Sequence, residues 1–250
     1  MIRRWAGIIL VTAVVIGCAP TPPLDEAAVS AYRQVKHARA EQLHSAAYLI
    51  DVRINDQGNK YSVTTELYVA GDSVGFYGRG YLGRGAFRGR IIDDTATIYF
   101  EREQEYFSAG ADQLRSDADC ARPGEVVLYL MSLLSGRDDA SSEKKVNRSG
   151  RRLADSLGRF LRTVELTGDK YQLPKSEMLV DSTCRDSITI SYDSRGSSFP
   201  YYQPRSILYR NDRYDFRVKG FVREQRYNVP LSPAKFQLII PPTAARVDSL

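Results

Sequence analysis

The sequence predicts a mainly β protein (α+β): one antiparallel sheet of about eleven strands with two helices, in a single domain. Three observations carry that expectation. Runs in which apolar and polar residues alternate with a period of two recur along the chain, as in strands with one buried face. Short Gly, Asp and Asn turns join these runs with no helix between them, which antiparallel pairing allows and parallel pairing does not. Sixteen Tyr and nine Phe stand beside a single Trp, and such aromatic residues fit a pleated surface.

Taken in order, Ala19–Leu24 contains three prolines and reads as a short tether. Asp25 caps a helix running to about His44. Ala28, Tyr32 and Val35 share one face of it, while Arg33, Lys36 and Arg39 are expected elsewhere. His37 and His44, the only histidines, are seven apart. A local metal pair uses i and i+4, so both read as solvated or half-packed. From Ala46 the period becomes two: Tyr48, Ile50, Val52 and Ile54 alternate with Leu49, Asp51 and Arg53. Asp56–Asn59 turns into a strand over Tyr61–Leu67, and Gly71-Asp72 turns into Ser73–Gly78. Ala86–Ile92 and Thr95–Phe100 continue the meander around an Asp93-Asp94 turn.

Pro123-Gly124-Glu125 then opens an apolar helix, Val126–Leu134, ended by Ser135-Gly136. A charged stretch from Arg137 to about Arg152 follows, with Lys144, Lys145, Arg148, Arg151 and Arg152. It reads as a loop or solvated face, with contact to lipid phosphate as the other reading. Strands return over Thr163–Leu166, Tyr171–Leu173, Ser187–Tyr192, Ser206–Tyr209, Tyr214–Lys219, Glu224–Asn228 and Lys235–Ile240, and Pro241-Pro242 ends the regular structure.

The first residues carry a different signal. Arg3 and Arg4 precede an uncharged stretch from Trp5 to Gly17, shorter than the roughly 20 apolar residues a membrane-spanning helix needs. A basic start, a short apolar core and a small residue before a cut make a signal peptide. Val15-Ile16-Gly17-Cys18 resembles the lipobox of bacterial lipoproteins. That resemblance implies removal of residues 1–17, a diacylglycerol on the Cys18 sulfur and an acylated Cys18 amine. Two or three chains anchor stably where one does not. The expected plan is a signal peptide over 1–17, an acylated tether over 18–24 and one domain over 25–250. The same resemblance, with Ala19 in place of an Asp that would favour inner-membrane retention, implies the outer membrane, with the inner membrane as the other destination.

Removing Arg3 and Arg4 takes the net charge from +5 to +3, too slight a surplus for nucleic-acid binding, which needs a concentrated basic face. Cys120 and Cys184 are the remaining cysteines. In an exported chain they most simply form one disulfide, with two buried thiols as the alternative.

No catalytic constellation emerges, and no cofactor is implied. Gly78-Arg79-Gly80-Tyr81-Leu82-Gly83 fits G-x-G-x-x-G, but a dinucleotide site needs a helix after the glycines, and Ala86–Ile92 reads as a strand. No G-x-S-x-G elbow occurs. No metal site is expected from Cys120 and Cys184. The same hairpin carries Tyr81 and Leu82 at its tip. There they either touch a membrane or acyl chain or fold inward to complete the core.

Three places resemble the LolA/LolB-like lipoprotein family. Gly80-Tyr81-Leu82-Gly83-Arg84-Gly85 is similar to the P-L-G hairpin of LolB-type receptors, with Tyr81 at the proline. Glu125–Gly136 resembles the short apolar helix between the two halves of their sheet. Tyr202–Ile207 followed by Tyr214–Val218 resembles their late proline-led strand pair. The cysteine pair and the 137–152 stretch depart from the pattern. The resemblance implies a curved antiparallel half-barrel closed by helices, with acyl chains of lipoproteins or other lipids as ligand. It also implies a periplasmic carrier as a partner, and passes the membrane-engaging role to Leu82. The other function compatible with the sequence is a structural or interaction lipoprotein with a filled core.

Overall fold

A computed structural model describes residues 26–80, 83–93, 95–110, 152–157, 160–168, 172–181, 184–193 and 201–247. Among them one helix, α1 (Glu26–Gln42), precedes thirteen strands that form one sheet. The first six, β1 (Ser45–Asp56), β2 (Asn59–Ala70), β3 (Ser73–Arg79), β4 (Gly85–Ile92), β5 (Thr95–Phe100) and β6 (Glu105–Gly110), form a meander. The next six, β7 (Arg152–Leu157), β8 (Phe160–Leu166), β9 (Pro174–Asp181), β10 (Asp186–Asp193), β11 (Gln203–Asn211) and β12 (Phe216–Tyr227), form a second. The long strands β1 and β12 pair antiparallel and join the halves, giving the order β13-β6-β5-β4-β3-β2-β1-β12-β11-β10-β9-β8-β7. The last strand, β13 (Ala245–Val247), adds to β6 in parallel.

Alternation decides which residues face inward. On β1, Ala46, Tyr48 and Ile50 are buried and lie opposite Val69, Leu67 and Thr65 of β2. One apolar cluster runs along this inner face through both halves, from Phe76 and Ile98 to Leu179, Ile188, Ile190 and Tyr209. The sheet curves so that this face is concave. Two devices accommodate the curvature. Register shifts lie at Leu49/Ile50, Gly78/Arg79, Glu165/Leu166 and Ser191/Tyr192, and bulges bend and twist the strand that carries them. On β3 and β4, Phe76 faces Gly89 and Gly78 faces Phe87. A Cβ on Gly89 would lie 2.0 Å from the Phe76 ring and one on Gly78 2.4 Å from the Phe87 ring, so each phenyl occupies its partner's missing side chain.

The tail after β12 crosses the convex face of the first half. Its single 3-10 turn, Pro233–Phe236, is capped by Ser232, whose Oγ accepts from the Ala234 N–H at 3.3 Å. A Cβ on Gly75 would stand 2.1 Å from the Lys235 carbonyl oxygen. Lys235 Nζ donates to Tyr68 Oη at 2.8 Å.

Several expectations change. β6, β7 and β13 are strands not read in the sequence, and Tyr214–Lys219 and Glu224–Asn228 are parts of one strand, β12. β9 starts at Pro174 rather than ending at Leu173; proline is admissible as a first strand residue because no ladder donor is lost inside the sheet. Lys235–Ile240 is no strand, because the chain there lies across the sheet instead of beside a partner, and β13 follows Pro241-Pro242. The apolar helix Val126–Leu134 and most of the 137–152 stretch lie outside the described residues, as do residues 1–25. No described helix is long and apolar enough to cross a membrane.

Candidate functional site

The concave face is the site the fold builds. Its inward positions in the first half are apolar or small: Val63, Leu67 and Val69 on β2, Val74 and Phe76 on β3, Phe87 and Ile91 on β4, Ile98 and Phe100 on β5. From the joining strands come Val52, Val218 and Val222, which are half-buried and packed against the same cluster. On the second half the floor is closed: Leu179, Ile188, Ile190 and Tyr209 are among the most completely buried side chains.

Helix α1 lies over the second half. Ala28 and Tyr32 pack with Val164 and Leu166 of β8 and with Leu153 of β7, and Val35 packs with Leu173 and Tyr202. The next residue on that face is Arg39, which is only 4% exposed. This corrects the expectation that Arg39 faces away: positions 28, 32, 35 and 39 continue one helical stripe. The guanidinium stacks over the Tyr202 ring with 4.3 Å to the centroid, the planar contact Arg makes well. Tyr202 meets Tyr192 edge-on at 5.1 Å. Tyr192 Oη donates to Glu177 Oε1 at 2.9 Å, and Tyr227 Oη donates to the Tyr202 carbonyl at 3.0 Å. A buried cation and a buried carboxylate are thus bridged by phenols where helix and sheet meet. Burial raises the Tyr192 phenol well above its ordinary range, reinforced by the Glu177 charge and opposed by Arg39. Burial likewise raises Tyr48 and Tyr227, again against the Arg39 charge.

Asn228 fixes the end of α1 beside this cage. It adopts φ 50°, a left-handed conformation Asn tolerates. Its amide nitrogen donates to the Gln42 carbonyl at 2.9 Å, and its Oδ1 accepts from the His44 N–H at 2.9 Å. His37 and His44 are both exposed, and His37 lies 3.2 Å from Glu41, in keeping with their solvated reading.

The hairpin between β3 and β4 joins two strands, as expected, and no helix follows its glycines. Its base is closed by the Gly80 N–H donating to the Arg84 carbonyl at 2.8 Å. Gly83, at φ 72°, holds a turn conformation that glycine adopts without a Cβ penalty. Tyr81 and Leu82 at the tip lie outside the described residues, as do Cys18 and Cys120. Cys184 is buried just before β10, and its N–H donates to Asp181 Oδ1 at 3.1 Å. Among the described residues no three metal-ligating side chains come together. The cage was not foreseen; the 28/32/35/39 spacing is the signal that reveals Arg39.

No family model and no curated sequence matches the chain. Similar solved structures do exist. One is a DUF1329 family protein from Desulfovibrio piger, at 12% identity and TM-score 0.55, covering 87% of this chain and 98% of that one. A second is a domain from Vibrio parahaemolyticus assigned to outer membrane lipoprotein sorting, at 12% identity and TM-score 0.52, covering 82% and 94%. A LolA superfamily protein from Nitrosomonas europaea follows, at 9% identity and TM-score 0.49, covering 84% and 97%. At these identities the likeness to the first two is one of fold: the chain shares with them the curved, mainly antiparallel sheet that the sequence resemblance implied.

Proposed function

We propose that this chain is a membrane-anchored, periplasm-facing lipoprotein that binds acyl chains on its concave face and acts as a carrier or receptor for lipoproteins or other lipids. The observation that carries the reading is the continuous apolar lining contributed by β2–β5, β1 and β12, half-buried at Val52, Phe87, Ile91, Phe100, Val218 and Val222. Each CH₂ withdrawn from water contributes about 0.8 kcal/mol, so an apolar trough of this kind suits lipid tails. Among the described residues the first half offers those tails no buried charge; the buried Arg39, Arg162, Glu177, Asp181 and Asp186 lie on α1, β8, β9 and β10.

In this reading residues 1–17 are the signal peptide, Cys18 bears the lipid, 18–24 is the tether, and 25–250 is the domain. The outer membrane is the destination, and a periplasmic carrier delivers the cargo. Leu82, with Tyr81, engages the bilayer from the β3–β4 hairpin, and Cys120 bonds to Cys184. The shared fold with the Vibrio sorting domain supports the ligand class.

The test uses residues 18–250 with Cys18→Ala and a fluorescent triacylated lipopeptide, compared with the same peptide lacking acyl chains. Binding of the acylated peptide alone is expected; equal binding of both refutes an acyl site. Leu82→Glu is then expected to abolish transfer into vesicles while leaving binding intact, and unchanged transfer removes the hairpin from the mechanism. The complete burial of Leu179, Ile188, Ile190 and Tyr209 favours one other reading, an interaction lipoprotein whose core is filled. That reading predicts no lipopeptide binding in the same assay.

A further inference from the structure

The convex face differs between the two halves of the sheet. The tail and β13 lie on or beside the first half, whereas the second half presents its outward rows with large apolar residues exposed. Register places those side chains in transverse rows. One row runs Thr163, Met178, Thr189, Leu208, Lys219, Arg53 from β8 to β1. The row beside it runs Leu161, Val180, Ser187, Arg210, Arg217, Asn55. Leu161, Met178, Leu208 and Phe221 are 38–44% exposed here.

The charges in these rows are arranged against the stability of the isolated protein. Arg210 lies directly opposite Arg217, and Lys219 directly opposite Arg53. Like charges facing each other across a ladder repel. Several other surface cations are paired: Arg79 with Glu66 at 2.9 Å, Lys175 with Glu165 at 3.1 Å, Arg226 with Glu224 at 3.0 Å, and, at this patch, Arg210 with Asp212 and Arg223 with Asp51. Arg53, Arg217 and Lys219 are exposed and have no carboxylate partner among the described residues. Lys219 instead stands 4.7 Å from the centroid of the exposed Phe221 ring.

We propose that this convex patch docks on the headgroup layer of a bilayer containing anionic phospholipid, with Arg53, Arg217 and Lys219 against the phosphates and Leu208, Phe221 and Met178 in the interface. Charge complementarity selects this occupant. Unpaired cations set beside exposed apolar and aromatic side chains match a surface that is anionic in its headgroups and apolar just beneath. Docking by this face is separate from acyl binding on the concave face and needs neither the hairpin tip nor a filled site.

The experiment floats residues 18–250 carrying Cys18→Ala, so that neither signal segment nor acyl anchor contributes, with phosphatidylcholine vesicles with or without phosphatidylglycerol. The parent is expected to prefer the anionic vesicles, and high salt is expected to remove the preference. Each neutralised cation should weaken the anionic binding about fivefold, corresponding to about 1 kcal/mol. The Arg53→Gln/Arg217→Gln/Lys219→Gln variant should therefore lose on the order of a hundredfold. Relief of the opposed charges should leave that variant at least as heat-stable as the parent, so lost binding does not reflect lost folding. Lipopeptide binding on the concave face should be unchanged, which separates failure of this surface from failure of the acyl site. A parent with no preference for anionic vesicles, as expected if an acidic protein is the true partner, overturns the proposal. So does a triple variant that floats like the parent.

Discussion

Raising the pH above the phenol range should unfold this protein through the cage around Arg39. Tyr48, Tyr192 and Tyr227 are held above their ordinary range by burial, while an unfolded chain releases such protons near pH 10. The folded state thus keeps protons that the unfolded state loses. The stabilisation is complete below about pH 10 and is lost as the pH climbs from there towards the folded values. Each phenol removes about 1.4 kcal/mol per pH unit in that window, so three together remove about 4 kcal/mol per unit. Against a domain stability of about 5–15 kcal/mol, a few pH units suffice. Urea titrations at a series of alkaline pH values would give the slope. Near-ultraviolet absorbance should show the last tyrosinates forming together with the loss of tertiary circular dichroism. Tyr227→Phe should flatten the slope by about 1.4 kcal/mol per unit. A slope unaffected by that substitution, or complete tyrosine ionisation with the fold intact, would refute the cage as described.

Other perturbations probe the scaffold. Gly75→Ala places a methyl against the Lys235 carbonyl, 2.1 Å from the ideal Cβ, and overpacking of this kind costs about 1–3 kcal/mol. Amide exchange should show the tail and β13 loosening while β1 and β12 stay protected; uniform protection would show that the tail adjusts without cost. Asn228→Gly keeps the backbone conformation but removes the bonds to Gln42 and His44. It should cost about 1–2 kcal/mol and speed exchange over the last turn of α1, and unchanged exchange there would count against the clip. If Cys120 and Cys184 are bonded, reduction should lower stability by at most about 4–5 kcal/mol, and the unreduced, denatured domain should show no free thiol at either position. Labelling of both by maleimide without reduction would show them unbonded.

What the sequence disclosed of the sheet followed from how faithfully alternation maps onto burial. In β1 to β5 the inward positions other than Thr65 are apolar or glycine and the turns carry Gly, Asp or Asn, so period and punctuation agree. In β9 the inward positions include Glu177 and Asp181, both buried, and charges on the buried face invert the signal. In β12 the register slips so that Leu49 faces Glu224 and Ile50 faces Val222. The extra residue, Arg223, breaks the alternation and made one strand look like two. β6, Glu105–Gly110, buries Phe107 and Ala109 but is too rich in small residues to announce itself.

The tail shows the opposite case. From Lys235 to Ile240 every second residue is half-buried and the others are exposed, with Ile239 at 84%. The pattern therefore reported extended chain lying on a surface, and only the inference of a ladder partner was wrong. Arg39 fits the same logic. Its position in the stripe was legible, but its residue type argued for solvent, and position prevailed because Tyr202 stacks on the guanidinium and other phenols surround it. Period identifies which positions face the core. Whether a polar residue can occupy one of them depends on partners that arrive from elsewhere in the chain, here Tyr48 from β1, Tyr192 from β10, Tyr202 from the approach to β11, and Tyr227 from the end of β12. The apolar trough was therefore readable strand by strand, whereas the cage beside it exists only once four distant segments meet.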